Sequence, residues 1–207
     1  MTNRKLFPCC LALFAIALAG CGATRPSKYY ELTVAGKAAP PANAEPFPVT
    51  LLIGPITSSH LYREDRIVYS AKDESMGTYE FHRWVQPPTE MLQDVVLREL
   101  RSSGRFRAVA LLRSNSQGDY VLRGRLYDFK EVSGKPASGR VAVDFELREL
   151  KTGATVWSHS YLREEAVSGD SKQLSELVAA LDRGTQEIVS ELQEGLSQYF
   201  ATRPAAR

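Results

Sequence analysis

The sequence predicts a single α/β domain, a mixed β-sheet with helices packed on it, the last of them long. Three observations carry this. Short β-prone runs recur along the chain between clusters of turn residues. One run, Val49 to Ile56 (VTLLIGPI), is apolar at nearly every position, as expected of a strand covered on both faces. Two further segments, near 88–103 and 170–200, carry apolar residues at helical spacing. A length of 207 residues suits one domain with appendages, and 43% hydrophobic with 24% charged residues is a globular composition.

Taken in order, Tyr29 to Val34 is a short β-prone entry, followed by an irregular stretch, Gly36 to Pro48, whose four prolines mark a loop. Val49 to Ile56 is the covered strand. Arg66 to Ala71 and Thr78 to Trp84 form a pair across a polar DESMG turn. Pro87-Pro88 opens the first helix, with Leu92, Val95, Val96 and Leu100 as its stripe and Gly104 as its stop. Arg105 to Leu112 is another apolar run. Tyr120 to Glu131 puts Tyr120, Leu122, Gly124 and Leu126 on one face, and Arg140 to Leu150 alternates with Val141, Val143, Phe145 and Leu147 inward. Thr155 to Glu165 completes a three-strand meander through turns at Ser133–Pro136 and Lys151–Gly153. The second helix starts near Asp170, with Gln173 in capping-box position, and runs to about Phe200 on a stripe that includes Leu174, Leu181, Ile188 and Leu192. Gly184 and Gly195 predict a bend or break in it. There is no internal repeat.

The first 20 residues are not part of this fold. Arg4 and Lys5 precede an uncharged run from Leu6 to Ala19, the pattern of an export signal and shorter than the ~20 residues needed to span a bilayer. Leu18-Ala19-Gly20-Cys21 resembles the bacterial lipobox. That resemblance implies cleavage before Cys21, a diacylglycerol on its thiol and an acyl chain on the new amino terminus, with no other cofactor. Gly22, in place of the Asp that usually retains such proteins in the inner membrane, resembles the pattern sent to the outer membrane of a Gram-negative envelope. The expected organisation is thus a signal at 1–20, a lipidated tether at 21–28, the domain at 29–200 and a disordered tail at 201–207.

Charge and chemistry narrow the function. The chain has 26 basic and 24 acidic residues. Arg4 and Lys5 leave with the signal, so 24 oppose 24 and no basic field remains to make nucleic acid a partner. All three cysteines lie in the first 21 residues, so the domain has neither a cysteine nucleophile nor a thiolate zinc site. His60, His82 and His159 are far apart, without an HxH or HExxH pair, and there is no GxSxG elbow or P-loop. The acidic pairs Asp73-Glu74 and Glu164-Glu165 read as solvated carboxylates. No catalytic set and no metal site is therefore expected. The segment from Leu51 to Trp84 is rich in the aromatic and arginine residues that interfaces favour, and Tyr62, Arg66, Tyr69, Arg83 and Trp84 are its candidate partner-facing residues. The alternative places Trp84 and Tyr69 in the core.

Gly54-Pro55, Tyr62, Asp65-Arg66-Ile67-Val68 and Trp84-Val85-Gln86-Pro87, with the Tyr29-Tyr30 entry and Leu122-x-Gly124-x-Leu126, closely resemble the ABC-type transport auxiliary lipoproteins. The family pattern has a strand ending in Gly-Pro and a Trp-Ala-Glu-Pro that begins a helix; here Gln86 replaces the acid. The resemblance implies a non-enzymatic component of a lipid transport system whose other parts are an ATPase, a permease and a periplasmic MCE-domain protein. It further implies a position on the periplasmic face of the outer membrane, docking that MCE protein, with self-association left open. A membrane-anchored module that itself carries lipid is the alternative.

Overall fold

The computed structural model describes residues 25–33, 45–71, 75–113, 115–168 and 174–202. The proposed signal, Cys21, the Asp170/Gln173 cap and most of the expected tail lie outside them. The element order is β1 (Lys28–Tyr30), β2 (Phe47–Ser58), a 3₁₀ turn (His60–Arg63), β3 (Arg66–Ser70), β4 (Met76–Trp84), α1 (Pro88–Ser102), β5 (Phe106–Leu111), β6 (Tyr120–Val132), β7 (Ser138–Glu149), β8 (Thr155–Ala166) and α2 (Leu174–Ala201). The expected mixed sheet has eight strands.

β6 organises the sheet. On one side it pairs antiparallel with β7 along its whole length, and β7 pairs with β8, giving the expected meander. On the other side it is shared: β2 runs parallel to its first half, from Leu51↔Tyr120 to Ser58↔Leu126, and β3 runs parallel to its end, from Val68↔Lys130 to Ser70↔Val132. β2 and β3 therefore lie end to end along one edge of β6, interrupted by the 3₁₀ turn. β5 flanks β2 in parallel, while β4 is antiparallel to β3 and parallel to β1.

The patterning explains the layers. Leu51, Ile53, Leu122, Leu126, Val143, Phe145 and Leu147 join the apolar stripes of α1 and α2 in one core. Leu52 and Val121, on the opposite parity, are also buried. There the chain at Gly118 covers β2, so close that a Cβ would stand 2.6 Å from Leu52 Cγ. That second covering is why the β2 run is apolar without alternation. In β6 the register shifts between Leu126 and Asp128, leaving Tyr127 as an exposed extra residue and passing the inward role to Phe129.

Two expectations are corrected. Gly184 and Gly195 do not break α2, which is continuous from Leu174 to Ala201. They bring it close to β8: a Cβ on Gly184 would lie 3.2 Å from Arg163 Cβ, and one on Gly195 would lie 3.1 Å from Trp157 Cζ2. Tertiary packing outweighs the ~1 kcal/mol propensity cost of each glycine. β1 also stops at Tyr30, four residues short of the expected end, because α2 captures the next stretch. The Thr33 N–H donates to Asp182 Oδ1 at 3.0 Å, the Thr33 carbonyl accepts from Gln186, and Leu32 enters the core. Burial raises the Asp182 carboxyl above its ordinary range, against these hydrogen bonds.

Candidate functional site

The five candidate partner-facing residues do not form one surface. Trp84 is 0% exposed and Tyr62 is 1% exposed, so both belong to the core. The 3₁₀ turn lowers the Tyr62 ring into the core beside the gap between β2 and β3, where its hydroxyl donates to Asp128 Oδ1 at 3.4 Å. Asp128 is held in turn by Lys130 at 2.7 Å. Burial, then Asp128, raises the Tyr62 hydroxyl far above its usual range. Trp84 closes β4 with its ring 5.3 Å from that of Phe129, and its backbone N–H donates to the Asp65 carbonyl at 2.6 Å. Arg83 is half-buried and donates to Asp65 Oδ1 at 2.7 Å. Tyr69 is half-buried, and Arg66 alone of the five is exposed.

Tyr69 begins a row of rings that the sequence did not reveal. Tyr69, Tyr79, His82 and Tyr30 follow one another across β3, β4 and β1 at centroid spacings of 5.1, 6.0 and 5.8 Å. The Tyr79 hydroxyl donates to Glu131 at 2.6 Å, and the Tyr30 hydroxyl bonds His82 Nδ1 at 3.0 Å. Burial, then Lys28 and Arg25, lowers the His82 pKa. Arg25 sits nearby with its guanidinium 5.7 Å from the centre of the Phe81 ring. Because β1 runs opposite to β6, the described chain begins at the end of the sheet where β6 ends.

Gly54-Pro55 does not end its strand. β2 continues to Ser58, and the pairing with β6 shifts between Ile53 and Ile56. Proline has no N–H for the ladder, so an irregularity there is its natural place. α1 compensates, since Gln93 Nε2 donates to the Gly54 carbonyl at 2.7 Å. Replacing Gln93 by Leu should destabilise the protein by about 1–2 kcal/mol in chemical denaturation, because it strips a buried carbonyl of its donor. Beside this bond lies a cavity of about 400 Å³ lined by Pro55, Ile56, Gln86, Thr89, Glu90, Gln93 and Asp94. Gln86 Nε2 donates to Asp94 Oδ2 at 2.9 Å, a bond that an ionised acid at position 86 could not make.

The histidines stay separate: His60 pairs with Glu64 at 3.0 Å, and His159 lies between Trp157 and Tyr161. Among the described residues there is no group of three His, Cys, Asp or Glu that could hold a metal, and no helix long and apolar enough to cross a membrane. Glu164 accepts from Ser138 and Arg140, which hold its carboxyl below the usual range. Glu165 stands 3.8 Å from Arg183.

The family model for the ABC-type transport auxiliary lipoprotein component matches residues 30–193, from the ring row through most of α2. The chain belongs to this family. Members of the ABC-type transport auxiliary lipoprotein family are accessory components of transport, a non-catalytic kind of protein. Among solved structures, protein XCC0632 from Xanthomonas campestris, of family DUF330, superposes with a TM-score of 0.71 at 21% identity over 83% of this chain and 96% of that one. An uncharacterized protein gives 0.65 at 13% identity over 83% and 99%, and a hypothetical protein from Chlamydia trachomatis gives 0.52 at 9% over 75% and 99%. At these identities the likeness concerns the fold. Comparison with curated proteins returns no match. For this auxiliary lipoprotein the motif residues are thus mainly architectural: Gly54-Pro55 shapes β2, and Tyr62 and Trp84 fill the core.

Proposed function

We propose that this auxiliary lipoprotein is acylated at Cys21 and docks the periplasmic MCE-domain protein of an ABC-type lipid transporter at the outer membrane. The family match over residues 30–193 carries the reading. Two features support it. Cys21 precedes Arg25 by four residues, which span at most roughly 14 Å when extended. A lipid there holds the β6-end of the sheet close to the bilayer. The 13 residues of β6, at ~3.3 Å each, then carry the opposite end of the sheet roughly 40 Å away along the strand direction, toward a periplasmic partner.

The mechanism is positional: the acyl chains fix the domain, and the domain holds the partner. The test is affinity capture of the lipidated protein from envelopes of its own organism after in-cell crosslinking. Recovery of the MCE-domain protein is the expected result, and its absence under every crosslinking chemistry overturns the reading.

A further inference from the structure

α2 and β8 enclose a groove of about 590 Å³ that the docking proposal does not use. Its floor comes from β8, where Trp157, His159 and Tyr161 alternate toward α2. The Trp157 and His159 rings are 6.2 Å apart and inclined by 23°, and His159 and Tyr161 are 4.5 Å apart. The wall is the face of α2 that carries Glu191, Glu194 and Gln198 at successive turns. Gly195 leaves no side chain over the indole, so the helix backbone closes against it. Among the described residues β8 pairs with β7 alone, and the groove lies along that outer strand of the sheet.

The charges are unequal. Arg163 engages both Glu187 and Glu191. Glu194 accepts from Gln198 Nε2 at 3.2 Å and has no ion pair among the described residues. The groove therefore offers flat rings beside an uncompensated carboxylate. Burial, then Glu191, pushes the Tyr161 hydroxyl up to about 12, with Arg163 acting against them.

We propose that this groove receives an arginine side chain of a partner protein, its guanidinium stacked on Trp157 and His159 and donating to Glu194. A planar guanidinium uses both features at once, stacking on ring faces while its edge donates to a carboxylate, whereas an ammonium acts as a point charge. The chain already shows this preference, with Arg25 over Phe81 and Arg125 at 5.4 Å over Tyr127. The site includes no residue of the tether, so it stands or falls independently of the membrane reading.

The protein has two tryptophans, hence two indole N–H signals, and buried Trp84 serves as an internal control. The full lipoprotein, ¹⁵N-labelled in detergent micelles, is titrated with N-acetyl-arginine amide. The Trp157 signal should shift and saturate around millimolar ligand while that of Trp84 stays fixed. Glu194→Gln should weaken the response about tenfold, and Glu187→Gln should leave it unchanged. A Trp157 signal that does not move, or that moves equally in Glu194→Gln, overturns the proposal. So does choline chloride acting at equal or lower concentration, which would make the guest a quaternary ammonium headgroup.

Discussion

Replacing Cys21 by Ala is expected to abolish incorporation of labelled palmitate and to leave the chain either soluble or unprocessed, with its signal uncut. The loss of label should be close to complete because Cys21 is the last cysteine of the chain and the one in the lipobox position; among the described residues no helix is long and apolar enough to span a bilayer. Two or three acyl chains, at ~0.8 kcal/mol per buried CH₂, form a stable attachment, whereas the tether GATRPSK is polar. Envelope fractionation with a palmitate label reads both outcomes. Unchanged label and unchanged membrane association in the variant would remove the lipid anchor from the proposed function.

Trp84→Ala should be the most damaging single substitution in the domain, costing about 3–5 kcal/mol out of a total near 5–15 for domains of this kind. Trp84 is fully buried against Phe129 where β4 turns toward α1, and collapse cannot refill a site of that size. Trp84→Phe should be much milder. Among the described residues the buried indole Nε1 has no hydrogen-bond partner, so the phenyl ring removes an uncompensated donor while keeping most of the packing. Urea denaturation of the two variants separates these effects. An Ala variant as stable as wild type would contradict the core placement of Trp84 and restore it as an exposed docking residue.

That contrast shows what one dimension hides. A run rich in Tyr, Trp and Arg looks alike whether its rings fill a core or cover a surface, because both settings favour large, partly polar aromatics. What separates them is the strand register that turns Trp84 inward and the 3₁₀ turn that lowers Tyr62, and neither has a period of its own. Where period exists, the chain was legible: β7 alternates as its residues predict, the stripe of α1 faces the core, and the unbroken apolar run of β2 is covered twice. Gly195 shows the opposite failure. Local propensity argues for a break, and only the approach of Trp157 explains why the helix tolerates it. The groove beside it was equally hidden, since Trp157 and Glu194 are joined by packing and not by spacing.

The sharing of β6 by β2 and β3 bears on when this chain can fold. Thr50 meets Asp119 across 69 residues of sequence, and Tyr62 meets Asp128 across 66. Until β6 has emerged, β2 and β3 lack the strand that joins them, and the first half of the protein holds no continuous sheet. Such late, non-local pairing slows folding. Under the export that the proposed function requires, that delay is useful: the segments that leave first stay extended enough to thread, and the sheet closes only once β6, Tyr120–Val132, has reached the far side.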